Sequence, residues 1–273
     1  MISAGAHGAS RDLSPKIVHG SNVMVASNLG LNMQYIILAG GLGTRLHPRT
    51  LTIPKSMVPV LGKPYLYYQL DYLRRQGILK ALLLVGYLGE QIKEYFGKGV
   101  ALGMELEYSQ ERELLGTGGA LKLAKNKIAD DFFVIYGDSF LPIDYADFES
   151  AFRSAGTEGM ISVYRDPVGV TTVKGNVALS PDGRVTRYDK KTTSPQLMYV
   201  EAGVLAFRRS VLARIADGQI ISLENDVYPE LISERQLSGY ITAQRFFDIG
   251  TESRIRDMEA WLQHDYLKNT IPR

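Results

Sequence analysis

From Gln34 onward, short apolar runs alternate with amphipathic segments. Residues 35–39 (YIILA), 81–85 (ALLLV) and 132–136 (FFVIY) are continuous apolar runs bounded by glycine or polar residues, the pattern of strands buried on both faces of a parallel sheet. Between them, Leu66, Leu70 and Leu73 are spaced for one face of a helix that Pro64 opens at its first position and Gly77 ends. Residues 91–96 and 118–124 read as further helices and 105–110 as a strand. Strands alternating with helices predict an α/β architecture with crossover connections.

The pattern changes after residue 160. Residues 160–165, 177–179, 185–188 and 200–207 read as strands, with Pro181-Asp182-Gly183 as a hairpin turn. This stretch, about 160–208, is expected as a β-rich insertion beside the main sheet. Helices return at 211–216 and 225–234. A strand over 240–247 and a helix over 252–267, with Ile255, Met258 and Leu262 inward, complete the pattern. Residues 1–32 show neither periodicity and lack the apolar core of a signal peptide. They read as a tag, an over-called start or a disordered leader, with an oligomerisation arm as the alternative; Met33 would be a natural start, leaving 33–273 as the folded domain.

Composition narrows the function. With 45% hydrophobic residues, the 273-residue chain can bury the core of one domain, with or without a subdomain. A formal charge of +2, from 31 basic and 29 acidic residues, provides no global field for nucleic acid. The absence of cysteine excludes disulfides, thiolate metal sites and cysteine nucleophiles. No run approaches the roughly 20 apolar residues of a membrane span. The expectation is a cytoplasmic protein with small-molecule partners, neither nucleic acid nor membrane, with room for a homodimer.

The chemistry concentrates in Gly40-Gly41-Leu42-Gly43-Thr44-Arg45, directly after the first strand. Ligands of open α/β sheets bind beyond the carboxyl ends of the strands, and closely spaced glycines there free backbone N–H groups for phosphate. The dinucleotide-binding fingerprint fails because Leu46 stands where its third glycine belongs, which disfavours an oxidoreductase, and no G-x-x-x-x-G-K-[ST] is present. The longer run GGLGTRLHPRTLTIPKSMVPV, with Arg45 and Lys55 at fixed spacing from the glycines, resembles the signature of the sugar-1-phosphate nucleotidyltransferases. The resemblance extends over about 33–262, and segments such as LLGTGGALKLA and YDK are similar to the short heptose- or mannose-1-phosphate guanylyltransferases and to short uridylyltransferases.

This resemblance implies a Rossmann-like, mostly parallel sheet with helices on both faces, the β-rich part binding the sugar. It implies a nucleotide site of Ala39, Gly40, Gly41, Gly43, Thr44, Arg45, Lys55, Glu111, Gly116 and Thr117. Arg45 would hold the leaving phosphates and Lys55 the α-phosphate, and Asp138 with Asp248 would bind Mg²⁺. Arg45, Lys55 and Asp138 are thus the expected catalytic residues, and Gly175, Lys190 and Glu201 the expected sugar-phosphate contacts. Glu111 stands where uridylyl and thymidylyl relatives carry Gln and guanylyl relatives often carry Glu. A carboxylate accepts both donors of guanine, N1–H and N2–H, so GTP leads and UTP is the alternative; neighbouring Gln110 could also serve. The Gly116-Thr117-Gly118 turn is expected to let the base approach the backbone. The chain ends soon after the DIGT segment, so no appended β-helix domain is expected. A non-catalytic nucleotide-sugar sensor is the other class, disfavoured because Arg45, Lys55, Asp138 and Asp248 are all present.

Overall fold

The computed structural model describes residues 33–166, 169, 171 and 173–266. The leader reading of 1–32 lies outside these residues, as does the end of the last predicted helix at Leu267. The alternating pattern gives strands β1 (Gln34–Ala39), β2 (Lys80–Val85), β3 (Glu105–Gln110) and β4 (Asp131–Tyr136), interleaved with helices α1 (Tyr65–Arg75), α2 (Gly89–Phe96) and α3 (Gly116–Leu123). After α4 (Tyr145–Ala155) come β5 (Gly159–Arg165), β6 (Val177–Leu179), β7 (Val185–Tyr188) and β8 (Tyr199–Arg208). Helix α5 (Tyr228–Ser233), β9 (Leu237–Thr242) and α6 (Glu252–Trp261) follow.

These strands form one nine-stranded mixed sheet in the order β7-β6-β8-β4-β1-β2-β3, with β5 paired to β8 and β9 paired to β5. The nucleotide half, β4-β1-β2-β3, is parallel. Strand β8 joins β4 and β5 antiparallel. The strands read from sequence as an insertion beside the sheet therefore extend it, because the ten-residue β8 pairs with both halves. Strand order reverses between β1 and β4, which run parallel, and the cleft outside such a switch point is where open α/β sheets bind ligands.

Successive side chains of a strand face opposite sides. Tyr35, Ile37 and Ala39 face Leu66, Leu70 and Leu73 of α1, Ile92 of α2 and Phe148 of α4. Ile36, with Phe132 and Val134 of β4, packs toward Leu121 of α3 and Tyr228 and Leu231 of α5. Both faces are thus covered by helices, which explains the continuous apolar runs. A third cluster, with Val58, Val60, Tyr65 and Phe140, holds α6 through Ile255 and Met258.

Several boundaries differ from the sequence pattern. Pro64 is extended (φ −54°, ψ 141°), pairs with Pro59 and precedes the helix, which begins at Tyr65. Residues 209–214 form a tighter 3₁₀ segment in place of the predicted helix over 211–216. The predicted strand over 240–247 divides in two. Its first part starts earlier, at Leu237, because Ser238 and Gly239 pair with Met160 and Ile161 of β5 although neither signals a strand; its end, Phe247, forms with Asp248 a separate two-residue strand paired with Phe140 and Ser139.

Gly175 explains one local constraint. A Cβ at this position would lie 1.8 Å from the Leu197 carbonyl oxygen. Gly175→Ala is therefore expected to cost about 1–3 kcal/mol through overpacking. Thermal denaturation reads this as a melting temperature lower by several degrees, and an unchanged melting temperature would show that the 197–199 segment yields freely.

Candidate active site

The expected catalytic, metal, nucleotide and sugar-phosphate residues all line one cavity of about 1000 Å³ beyond the carboxyl ends of β1 and β4, whereas the alternative base reader Gln110 does not. The turn after β1 begins it. Gly43 is left-handed (φ 65°), and a side chain there would meet Lys55 Cβ at 2.9 Å and Thr50 Cγ2 at 3.1 Å. The Thr50 hydroxyl donates to the Gly43 carbonyl at 2.8 Å. The loop is thereby folded against Lys55, which explains the fixed spacing between the glycines and this lysine.

Lys55 is buried, and its Nζ donates to Asp138 Oδ2 at 2.5 Å. Asp138 follows β4 in a turn that Gln69 of α1 clamps, its Nε2 donating to the carbonyls of Tyr136 (2.8 Å) and Ser139 (2.7 Å). Burial would raise the Asp138 pKa, but the Lys55 ammonium, the Ser139 hydroxyl and the Arg45 charge hold it below the usual carboxylate value. Asp248 stands on the adjacent segment, paired with Ser139, and the next N–H, of Ile249, donates to the Asp138 carbonyl at 3.1 Å. Both Asp248 oxygens accept from Arg254 Nη1 at 3.0 Å, and Oδ1 also accepts the Gly250 N–H at 2.8 Å. Arg45 packs across Gly250, where a Cβ would lie 3.2 Å from its Nη1.

Two carboxylates on neighbouring segments lining one cavity with the glycine loop are a donor set that suits a hard divalent cation. Among the described residues no group of three or more His, Cys, Asp or Glu could hold a metal. An ion here would draw its other ligands from substrate oxygens and water, as Mg²⁺ commonly does.

Glu111 closes another wall. Burial raises its pKa, and one oxygen accepts the Leu115 N–H at 2.9 Å. The other lies over Gly40 and Gly86, where any Cβ would come within 2.6 Å of it. Gln110 is exposed and bound to Lys93, away from the cavity, so the two neighbours are separated. Gly116 and Thr117 line the cavity, but backbone approach there serves the protein itself. The Ile221 carbonyl accepts from the N–H groups of Gly118 (2.8 Å) and Gly119 (3.2 Å), and a Cβ on Gly116 would lie 2.5 Å from that oxygen.

The opposite end is acidic and hydroxyl-rich. Glu201 is buried; its oxygens accept from the Tyr188 hydroxyl and, at 3.1 Å, from the Tyr228 hydroxyl. Burial raises its pKa. Lys190 Nζ lies 3.7 Å from Glu201 and 3.3 Å from Glu224. Burial opposes its charge, but these two carboxylates raise the Lys190 pKa. Glu224 was invisible in the sequence pattern. It comes from an irregular turn before α5 (Leu223–Val227), and accepts from the Tyr136 (3.0 Å), Ser222 (2.9 Å) and Thr117 (3.1 Å) hydroxyls. Burial would raise its pKa, but Lys190, its own backbone N–H and the Ser222 and Tyr136 hydroxyls lower it. Arg254 was also missed, because an arginine near a helix start carries no motif. The only signal for either was local: Ser222 and Thr251 are N-caps that bring the following residues to the cavity.

No helix among the described residues is long and apolar enough to cross a membrane. The sequence model of the nucleotidyl transferase family matches residues 34–264. The chain is 33% identical over 219 residues to the mannose-1-phosphate guanylyltransferase of Mycobacterium tuberculosis, covering 79% of this chain and 60% of that protein. It is 32% identical over 234 residues to the D-glycero-alpha-D-manno-heptose 1-phosphate guanylyltransferase of Aneurinibacillus thermoaerophilus, covering 85% of this chain and 99% of that one. The crystal structure of HddC from Yersinia pseudotuberculosis, complexed with GMP-PN, superposes with a TM-score of 0.70 at 28% identity over 82% of this chain and 97% of that one. The chain thus spans about 60% of the length of the mannose-1-phosphate relative and nearly the whole of the heptose-1-phosphate relative. With its glycine loop, Lys55 and paired aspartates gathered at the switch point, and with the match running through almost the entire described fold, the chain belongs to the nucleotidyl transferase family.

Proposed function

We propose that this chain is a Mg²⁺-dependent sugar-1-phosphate guanylyltransferase of the cytoplasm, where its triphosphate substrate is made. A phosphate oxygen of the sugar 1-phosphate forms a bond to the α-phosphorus of GTP as the bond to the β-phosphate oxygen breaks, giving GDP-sugar and pyrophosphate for glycan precursors. The observation that supports this reading is one cavity lined by Arg45 and Lys55 beside the glycine loop, by Asp138 and Asp248, and by a buried carboxylate, Glu111.

The chain's own groups do mostly electrostatic work. Such phosphoryl chemistry asks the protein to position reactants and neutralise charge. Lys55, fixed by Asp138, meets the α-phosphate as charge develops, and Arg45 meets the leaving β- and γ-phosphates. Mg²⁺ held by Asp138 and Asp248 would neutralise phosphate charge and orient the leaving group. Lys190 meets the sugar phosphate; Glu201 and Glu224 offer acceptors to sugar hydroxyls beside Gly175. The relatives' names favour mannose and manno-heptose 1-phosphates as the sugars to test first.

Glu111 tests the base. One of its oxygens is committed to the Leu115 N–H. In Glu111→Gln the amide oxygen keeps that bond and the NH₂ turns toward guanine, donor against donor. The loss is expected to be about 2–4 kcal/mol for GTP and smaller for UTP. The GTP/UTP ratio of kcat/KM should fall by about tenfold or more. A wild-type preference for UTP, or an unchanged ratio in the variant, would overturn the guanine assignment.

A further inference from the structure

Both aspartates are held by cations, but only one of those cations has a role so far. Lys55 binds Asp138 and is assigned to the α-phosphate. Arg254 binds Asp248 in the corresponding way, through Nη1 at 3.0 Å from each carboxylate oxygen, and lines the same cavity. We propose that Arg254 is a second guanidinium for the leaving pyrophosphate, restrained by Asp248 before substrate binds and released to the β- and γ-phosphates when that carboxylate turns to a divalent cation.

Three observations support this. Arg254 stands where local helix physics favours an acid. Thr251 is the N-cap of α6, its hydroxyl oxygen accepting the Arg254 N–H at 3.4 Å, so Arg254 occupies the third helical position. A capping box places Glu or Gln there, and a cation near a helix N-terminus opposes the helix dipole. A residue that breaks a local rule points to a requirement elsewhere, and Arg254 donates to Asp248, a candidate metal ligand. Second, Arg45, already assigned to the leaving phosphates, packs across Gly250, whose N–H is bound to the same Asp248. The two arginines thus lie at one turn, Arg254 on the Asp248 carboxylate and Arg45 beside Gly250. Third, the side chain of Arg254 is 23% exposed and that of Asp248 15% exposed, so the pair is shielded enough for an exchange of partners to matter yet opens on the cleft. A guanidinium can meet phosphate oxygens through two parallel N–H donors, which an ammonium cannot.

The proposal rests on the triphosphate reading above, so its test separates the two. Isothermal titration with Mg²⁺ present would compare GMP, GTP and pyrophosphate binding to wild type, Arg254→Gln and Arg254→Lys, with folding checked by circular dichroism. Arg254→Gln is expected to weaken pyrophosphate and GTP by about tenfold or more, the scale of one charge-assisted contact, and GMP by less than about twofold. Arg254→Lys should fall between, and it carries the test if the glutamine variant does not fold. Equal loss for GMP and pyrophosphate, or no loss for either, would overturn the role of Arg254. If wild type binds GTP no better than GMP, the triphosphate reading itself fails.

Discussion

Asp138→Asn is expected to lower kcat by roughly 10²-fold or more, about 2.7 kcal/mol of barrier. The substitution keeps the shape of the side chain, so the effect is one of charge. In the folded protein Asp138 Oδ2 holds the buried Lys55 and its carbonyl ties the turn to Ile249. The amide loses the carboxylate that would share a divalent cation with Asp248 and also leaves Lys55 without its counter-ion. The Asp138 side chain is 34% exposed, so loss of its charge costs less than in a fully buried pair, and the variant should melt only modestly earlier. Asp248→Asn should lower kcat to a similar extent, since it removes the second candidate ligand. Steady-state kinetics across a Mg²⁺ series, on variants shown to be folded, checks both. Unchanged kcat in either would remove that aspartate from the metal site.

Lys55→Ala should lower kcat by about 10²–10³-fold, the scale seen when one preorganised donor to a developing charge is removed, while weakening GTP binding far less. The distinction follows from where the charge acts. An interaction that strengthens as the α-phosphorus is attacked appears in kcat, whereas uniform binding appears in KM. Lys55 can act this way because it is already fixed: Gly43 and Thr50 pack against its stem and Asp138 holds its ammonium. Arg45→Ala should damage both parameters. A Lys55→Ala enzyme altered only in the KM for nucleotide would contradict the transition-state role.

The parts of the site legible in the sequence share a physical property. Residues 40–55 form one contiguous segment in which Gly40 and Gly43 are required by close packing, so the spacing that carries the family resemblance also carries Arg45 and Lys55. Asp138 was legible because an apolar run delivers it to a strand end. Glu224 and Arg254 were not. They reach the cavity through N-caps and an irregular turn; the partner of Glu224, Lys190, is 34 residues away, and Arg254, only six residues from Asp248, carries no motif that marks the pair. Gly116 taught a narrower lesson: its small size was readable, but what it approaches, the Ile221 carbonyl, is a tertiary fact. The fold followed the same division. The parallel half came directly from buried apolar runs, whereas the joining of both halves into one sheet depends on the length and double pairing of β8.

The most direct test is pyrophosphate release by the purified chain with Mg²⁺, across the four nucleoside triphosphates and a panel of hexose and heptose 1-phosphates. The account predicts stoichiometric pyrophosphate and NDP-sugar, highest kcat/KM with GTP, among sugars of the manno series, and none when Mg²⁺ is chelated. Pyrophosphate from no pair in the panel, with nucleotide still bound, would contradict catalysis and leave a nucleotide-binding protein.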